Sequence, residues 1–474
     1  MSQSRRRPLI RHPWNTRHNV DPTELSKITK WAGGELLHGS GAVRVTTVCT
    51  DSRALKAGDL FLALRGENFD GHAFVAEAAK LGAAGAVVEE SPEGTPENFA
   101  VIKVADTLAA LQQIAAHYRL SLPLKTVVIT GSNGKTSTKD FAAAVLRERF
   151  RVIKTEGNLN NHIGLPLTIL RAGADDQIGV FEIGMNHAGE TAPLAKIAQP
   201  DVGIITNIGV AHIEFLGSRD AIAQEKGMLA EAVPAGGSVI LNADDEYSVS
   251  IAQRTKAQVV MCGIGSGEIR ASNIRIDAEG NRFQVNTMDE EIEARINVPG
   301  EHMVRNALLA IAAGIIFGLT PSECAAGLAK ASLTKGRLEQ KNIRGIHVID
   351  DSYNANPDSM VAALRTLAQM PVTGQRIAVL GRMGELGVEA ERGHRQAGEA
   401  AGRLKIDCVV SVGEEAAWIS QSAGEHGVGR IFQVASTSEA AGLLRTLAHP
   451  GDVVLVKGSR SSQMEKVVEG LAAS

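Results

Sequence analysis

Residues 125–150 read KTVVITGSNGKTSTKDFAAAVLRERF, and the fold turns on that stretch. After Lys125, its next five residues (126–130, TVVIT) are all β-branched around an apolar centre, the pattern of a buried strand. Residues 139–150 have helical spacing. Between them lies Thr130-Gly131-Ser132-Asn133-Gly134-Lys135-Thr136-Ser137. A glycine-rich turn of this kind lets successive backbone N–H groups point at a polyphosphate, and the helix that leaves it offers its positive dipole end. Lys135 can reach the β and γ oxygens, and the Thr136 hydroxyl can ligate Mg²⁺. Ile129 stands where the first glycine of the longer GxxxxGK[ST] form would be, so the match is GxxGKT between a strand and a helix. The plain alternative is a strand-to-helix turn that binds nothing.

Outward from this turn the alternation continues. Apolar runs at 177–184, 202–209 and 236–243 are separated by helical segments, and a helix is expected over 304–317. Strands of that buried type alternating with helices predict a parallel sheet covered on both faces. A last segment alternates again: strands at 347–351, 377–383, 408–413 and 452–459, with helices at 357–370 and 391–404, a doubly wound pattern. Upstream, strands are expected at 43–50, 60–64 and 84–90, with a helix at 74–82. Asp21 as cap, Pro22 at the first position and Glu24 completing a capping box predict a helix starting there, closed by Gly33-Gly34. The fold class is therefore α/β in three domains: a central P-loop-type parallel sheet and a C-terminal doubly wound, Rossmann-like unit behind a small α/β unit. The expected divisions are 1–20 as a frayed basic extension, 21–122, 123–334 and 335–474.

The chain has 474 residues, enough for two to four domains. Hydrophobic residues at 44% and charged residues at 22% exclude a disordered chain. A formal net charge of −4 and only 4% aromatic residues point away from nucleic acid. The longest apolar run, 307–319, is too short to span a bilayer, so no stable membrane insertion is expected. Cys49, Cys262, Cys324 and Cys408 lie far apart, without metal-ligand spacing, which fits a reducing, cytoplasmic compartment.

Further candidates follow from position. Glu182 ends an apolar strand run and His212 follows another, so a parallel sheet brings both to the edge that carries the phosphate loop. A buried carboxylate there needs a partner, and Mg²⁺ prefers oxygen ligands with substrate phosphates. Ion pairing for Glu182 and a satisfied strand-end imidazole for His212 remain the plain readings. Asp350-Asp351 end a strand and suit ribose hydroxyls, a cation or a loop cap. Lys457, Ser459 and Arg460, in KGSRSS, read as an anion site or a solvated basic turn. Asp51, Ser52 and Arg53 follow a strand, and residues 66–72 form a polar turn; these donors suit a diphosphate, or are ordinary turns. Lys226 by itself reads as an exposed helical lysine.

Taken together, TGSNGKTS (130–137), the 50–72 stretch, GNLNNHIGLP (157–166), EIGMNH (182–187), GVAHIEFLGS (209–218), EKG (225–227), DDSYNANP (350–357) and VKGSRSSQMEKVV (456–468) resemble the Mur ligases. These are ATP-dependent amide-bond-forming enzymes of peptidoglycan precursor synthesis. The resemblance runs in the family's order from about residue 21 to 470. It implies the substrates ATP, a UDP-N-acetylmuramoyl-tripeptide and D-alanyl-D-alanine, with Mg²⁺ held by Thr136, Glu182, His212 and a carbamoylated Lys226. It assigns Lys135, Lys226, His212 and Arg337 to catalysis, and His302, Asn306 and Asp351 to the nucleotide beside the phosphate loop. Asp51, Ser52 and Arg53 would meet the uridine diphosphate. Asn158 and Asn161 would face the sugar-peptide, and Asn354, Lys457, Ser459 and Arg460 the substrate on the last domain. Met303 replaces a usual asparagine and Arg382 a usual acid. A monomer that closes around its substrates is the expectation.

The implied chemistry has two steps. A substrate carboxylate takes the γ-phosphoryl group of ATP, and the resulting acyl phosphate is attacked by the amine, which expels phosphate. The chain then has to position three substrates and offset charge. Rival readings are another ligase of this fold, such as a folylpolyglutamate synthase, or an ATP-dependent switch. The roughly 120 residues before the phosphate loop disfavour the former, and the joint presence of Lys135, Thr136, Glu182, His212 and Lys226 disfavours the latter.

Overall fold

The structure is a computed structural model that describes residues 17–66, 69–277, 279–288 and 290–473. Among these residues the chain builds three main sheets. Residues 1–16 of the expected extension, and Glu67 and Asn68 of the polar turn, lie outside the described residues.

The first sheet has six strands in the spatial order Arg17–Glu24, Arg44–Cys49, Leu60–Leu62, Gly85–Val88, Ala100–Lys103, Glu35–His38. The inner four run parallel, and the two outer strands run antiparallel to their neighbours. The capping signals at Asp21 mislead here. Residues 17–24 pair with Arg44–Cys49, and the helix begins only at Leu25. Asp21 is used differently: its Oδ2 accepts the Ala174 N–H at 2.9 Å, and its own N–H donates to the Tyr118 hydroxyl at 2.9 Å. Residues 17–20 are thus a paired edge strand rather than a frayed tail.

The central sheet has nine strands. Val152–Lys154, Ile178–Glu182, Lys125–Thr130, Val202–Ile205, Ser238–Asn242, Gln258–Ile264 and Ile269–Asp277 run parallel in that order. Gly280–Asn286 and Glu291–Ile296 extend it antiparallel. The helix Glu301–Ile316 closes this part, as the 304–317 pattern predicts. Eleven of its residues are buried, against the helix Lys135–Leu146 among others. Each fully buried Leu or Ile there contributes about 1.5–3 kcal/mol. Gly314 permits the close approach, since a Cβ there would lie 2.6 Å from both the Val145 side chain and Cys324 Sγ.

The third sheet runs Glu339–Ile343, Ile346–Asp351, Val453–Lys457, Arg376–Gly381, Cys408–Val412, Arg430–Val434. All but the first strand are parallel. Its order reverses between Ile346–Asp351 and Arg376–Gly381, with Val453–Lys457 inserted, which opens a crevice at the carboxyl ends of these strands.

By packing, the chain divides into two compact units. One takes residues up to Pro123 together with Pro166–Ala174; the other takes Leu124–Leu165 and Asp175 onward. The inserted stretch belongs firmly to the first unit: Leu167, Ile169, Leu170 and Ala172 are buried, and the Ala172 carbonyl accepts the Tyr118 hydroxyl at 2.7 Å. The central and third sheets share the second unit and one continuous apolar core from Val127 to Leu455. Among the described residues no helix is long and apolar enough to cross a membrane.

Candidate active site

The second unit contains a cavity of about 1140 Å³ at the carboxyl edges of its two sheets. Its walls carry the phosphate loop, Glu182, His212, Arg337, Asp351 and Lys457. Residues far apart in sequence meet here because both sheets direct their strand ends into it.

The phosphate loop has the backbone its glycines predict. Gly131 takes φ +146° and Gly134 φ +80°. A Cβ at Gly131 would collide with Thr206 Oγ1, and one at Gly134 with the Asn306 side chain. The loop is braced from the next strand's end. Ser132 N–H donates to the Asn207 carbonyl at 2.9 Å, and Asn133 N–H to Asn207 Oδ1 at 3.0 Å. The Asn133 carbonyl accepts from Thr206 Oγ1 at 2.5 Å and from Asn207 Nδ2 at 3.0 Å. Ser132 Oγ accepts from Gly209 N–H at 2.8 Å. From the third sheet's side, Asn356 Nδ2 donates to Asn133 Oδ1 at 2.8 Å. The bracing pair Thr206-Asn207 escaped the sequence reading; its one signal is the polar Thr-Asn ending an apolar run.

Lys135 opens the helix Lys135–Leu146 and donates to the Gly131 carbonyl at 2.8 Å. Burial pushes its amine below the ordinary lysine range, against the pull of Glu182. Thr136 is buried, and its Oγ1 accepts from Arg337 Nη2 at 3.2 Å. The Arg337 guanidinium lies over the Tyr353 ring at 4.2 Å, and its Nε is buried without a partner.

Glu182 is the last residue of its strand and pairs in register with Ile129, so it stands at the mouth of the phosphate loop. It is 2% exposed, with Oε1 accepting from Asn160 Nδ2 at 2.8 Å. Its Oε2 has no partner. His212 takes φ +64°, unusual for a residue with a Cβ, and its Nδ1 stands 2.8 Å from Glu385 Oε2. Glu385 also takes a positive φ, +60°. The His212 contact, then Lys135, hold its carboxyl below the usual range against burial. Strained backbone at two facing side chains is a mark of functional sites. Glu385 was not anticipated, although it lies in the GRMGELG stretch beside Arg382.

Lys226 departs from the reading of an exposed helical lysine. It is 1% exposed in the helix Arg219–Ala232. Burial, then the charge of Lys135, push its amine far below the ordinary value, and Glu225 opposes them. Glu225 is itself engaged, accepting from Gly189 N–H at 2.9 Å and Thr191 N–H at 2.7 Å. No group of three or more His, Cys, Asp or Glu side chains among the described residues is arranged to hold a metal.

His302 also lines the cavity, and burial drives its imidazole down to about 4. Asn306 is buried against Gly134 and donates to Met303 Sδ at 3.7 Å, so the thioether takes up a contact at the position where an asparagine is usual. Asp351 Oδ2 accepts from Lys457 Nζ at 2.5 Å, and Oδ1 accepts from Leu338 N–H at 3.2 Å. Lys457 is 3% exposed and also donates to the Asn354 carbonyl at 3.0 Å, so it is no solvated turn. Arg460 is exposed and pairs with Glu465, while Ser459 is buried in a cluster with Ser461 and Ser462. Arg382 points its Nη1 at Glu415 Oε1, 3.4 Å away.

Asn158 and Asn161 both line the cavity, but Asn161 spends its Oδ1 on the N–H groups of Ile163 and Gly164. Asn160, between them, is the residue that reaches Glu182. In the first unit, Asp51 accepts from the Arg53 backbone and guanidinium, with Nη2 at 2.5 Å, and Ser52 is half-buried beside them.

Comparisons with known proteins match the chain over most of its length. Residues 44–119 match the Mur ligase family catalytic domain, 129–314 the Mur ligase middle domain and 336–460 the Mur ligase glutamate ligase domain. The UDP-N-acetylmuramoyl-tripeptide–D-alanyl-D-alanine ligase of Bacillus subtilis (strain 168) is 38% identical over 430 residues, covering 90% of this chain and 93% of that protein. A crystal structure of MurF from Acinetobacter baumannii superposes with a TM-score of 0.87 at 33% identity, covering 96% of this chain and all of that one. MurF from Thermotoga maritima in complex with ADP gives 0.82 at 27% identity, covering 90% of this chain and 97% of that one. With three domain matches in chain order and a relative of this identity over nearly its whole length, the chain belongs to the Mur ligase family.

Proposed function

We propose that this protein joins D-alanyl-D-alanine to a UDP-N-acetylmuramoyl-tripeptide at the expense of ATP, in peptidoglycan precursor synthesis. The observation that carries the reading is one cavity in which the phosphate loop, the unpaired Glu182 Oε2 and Arg337 face each other. The loop's N–H groups and Lys135 would take the β and γ oxygens of ATP. The acceptor peptide's terminal carboxylate would enter past Asn158 and Asn160. It attacks the γ-phosphorus, the bond to ADP breaks, and an acyl phosphate forms. The dipeptide's amine then attacks that carbonyl, loses a proton and expels phosphate, leaving the amide. Arg337 would offset charge on the transferring group, and the buried walls keep water from the acyl phosphate.

The donor set fits Mg²⁺. Glu182 Oε2 is an orphaned buried oxygen, and Thr136 and His212 line the same cavity. These three, with a Lys226 carbamate, would hold the ion, which when bound supplies positive charge to the phosphates. The Lys226 amine, whose proton affinity is lowered by burial and then by the charge of Lys135, is suited to add to CO₂. Nitrogen attacks carbon, a proton leaves and a carbamate anion results. Such an anion would offset the charge of Lys135 and the cation. Asp51, Ser52 and Arg53 are assigned to the uridine diphosphate, His302, Asn306 and Asp351 to the nucleoside, and Asn161, Asn354, Lys457, Ser459 and Arg460 to the peptide and dipeptide. The protein would act as a cytoplasmic monomer. A coupled ADP assay across UDP-muramoyl peptides and amine donors tests the reading. ADP release should need the tripeptide and D-alanyl-D-alanine together; release with neither, or with any amine equally, would refute it.

A further inference from the structure

The helix Lys135–Leu146 carries a carboxylate that the chemistry above leaves unused. Asp140 lies four residues after Thr136, one turn along the same face. It is 2% exposed. Its Oδ1 meets Lys154 Nζ and stands 3.6 Å from Lys139 Nζ. Its Oδ2 accepts both the N–H and the hydroxyl of Thr334, each at 2.8 Å. Burial alone would raise this carboxyl, yet Lys139, Lys154 and Thr334 together hold it below the usual range. A buried carboxylate satisfied by three hydrogen bonds and the nearby charge of Lys139 fixes whatever it holds.

What it holds is the connection between the central and third sheets. Three residues beyond Thr334 stands Arg337, bonded to Thr136 Oγ1 and lying over Tyr353. The segment therefore runs back along the helix, with 334 against 140 and 337 against 136. Between the two, Gly336 takes φ +70° and its carbonyl accepts the Tyr353 N–H at 3.2 Å. Both ends of a four-residue segment are thus referenced to one rigid helix. We propose that Asp140 is a positioning residue, whose two-pronged grip on Thr334 sets the reach of the Arg337 guanidinium toward the terminal phosphate of ATP. The proposal rests on the assignment of Arg337 to the transferring phosphoryl group.

Asp140→Asn would leave Lys139 and Lys154 facing a neutral amide, which endangers the fold, so Thr334→Val carries the test. It removes the hydroxyl and keeps the backbone N–H. Thr334→Val is made in the wild type and in an Arg337→Ala background, and ADP release with all three substrates is measured beside thermal melting. In the wild type kcat should fall roughly tenfold, the scale of one hydrogen bond to a charged acceptor, and Thr334→Ser should restore it. In the Arg337→Ala background the same change should cost less than about twofold, because contacts acting through one group are not additive. Equal losses in both backgrounds would overturn the positioning role. Full turnover in Arg337→Ala alone would instead overturn the assignment of Arg337, and the proposal with it.

Discussion

Replacing Lys226 by alanine separates chemistry from stability at this site. The side chain is 1% exposed, and truncation removes three buried methylenes at about 0.8 kcal/mol each. That loss of about 2 kcal/mol is opposed by relief of the buried amine, whose proton affinity burial and Lys135 already depress. The net change should stay within about 2 kcal/mol, a melting shift of at most about 8 °C. Activity should fall far more. Loss of one preorganised charge in a water-poor site costs about 10²–10³ in kcat. The assay is ADP release with tripeptide and dipeptide at saturating ATP. Formate, acetate or propionate should partly restore the variant, since a small carboxylate can occupy the space left by the side chain. The wild type should lose activity in CO₂-depleted buffer and regain it with bicarbonate, and ¹³C-bicarbonate should give a carbamate carbon resonance absent from the variant. A variant within tenfold of wild type, or a wild type indifferent to bicarbonate, would refute the reasoning.

Lys135→Ala should lower ATP turnover at least a hundredfold in the same assay; retained turnover would refute the phosphate-loop assignment. Lys457→Met strips the Asp351 carboxylate of its buried partner and should lower unfolding stability by about 3 kcal/mol, read from urea midpoints. Part of that loss should return when Asp351→Asn is added. The His302 imidazole should titrate by NMR near 4 rather than 6.5. Stability should therefore drop as pH falls from 6.5 toward 4, because the unfolded chain takes up a proton that the folded one refuses. Solution scattering should change when an ATP analogue and the tripeptide are added together; superimposable profiles would count against closure.

The edge of the central sheet that lines the cavity was legible because its signals are local. The strand–turn–helix spelling of residues 125–150 fixes a phosphate loop, and parallel neighbours bring Glu182 to the same edge. Residues whose roles depend on distant partners were not legible. Asn207 braces the loop across 74 residues, and Asp140 meets Thr334 across 194. No window of sequence contains both members. Lys226 misled for the same reason, since only the packed helix shows that it is buried. The antiparallel strands Gly280–Asn286 and Glu291–Ile296 were missed because charged residues on their open face break the apolar runs that mark the other strands. At Asp21 a sound capping signal lost to pairing with Arg44–Cys49, where tertiary contacts outweigh local preference.

The stretch Pro166–Ala174 leaves the loop-bearing unit, completes the first unit and returns. Three crossings rather than one therefore tie these parts of the polypeptide. A fragment cut after Pro123 would carry an unfilled slot beside Tyr118. Its complement would display Leu167, Ile169 and Leu170 to solvent, an invitation to aggregate. Grafting a foreign first unit onto this chain thus calls for exchanging two segments at once. Ribosomal synthesis likewise cannot finish the amino-terminal piece until the phosphate loop has already emerged.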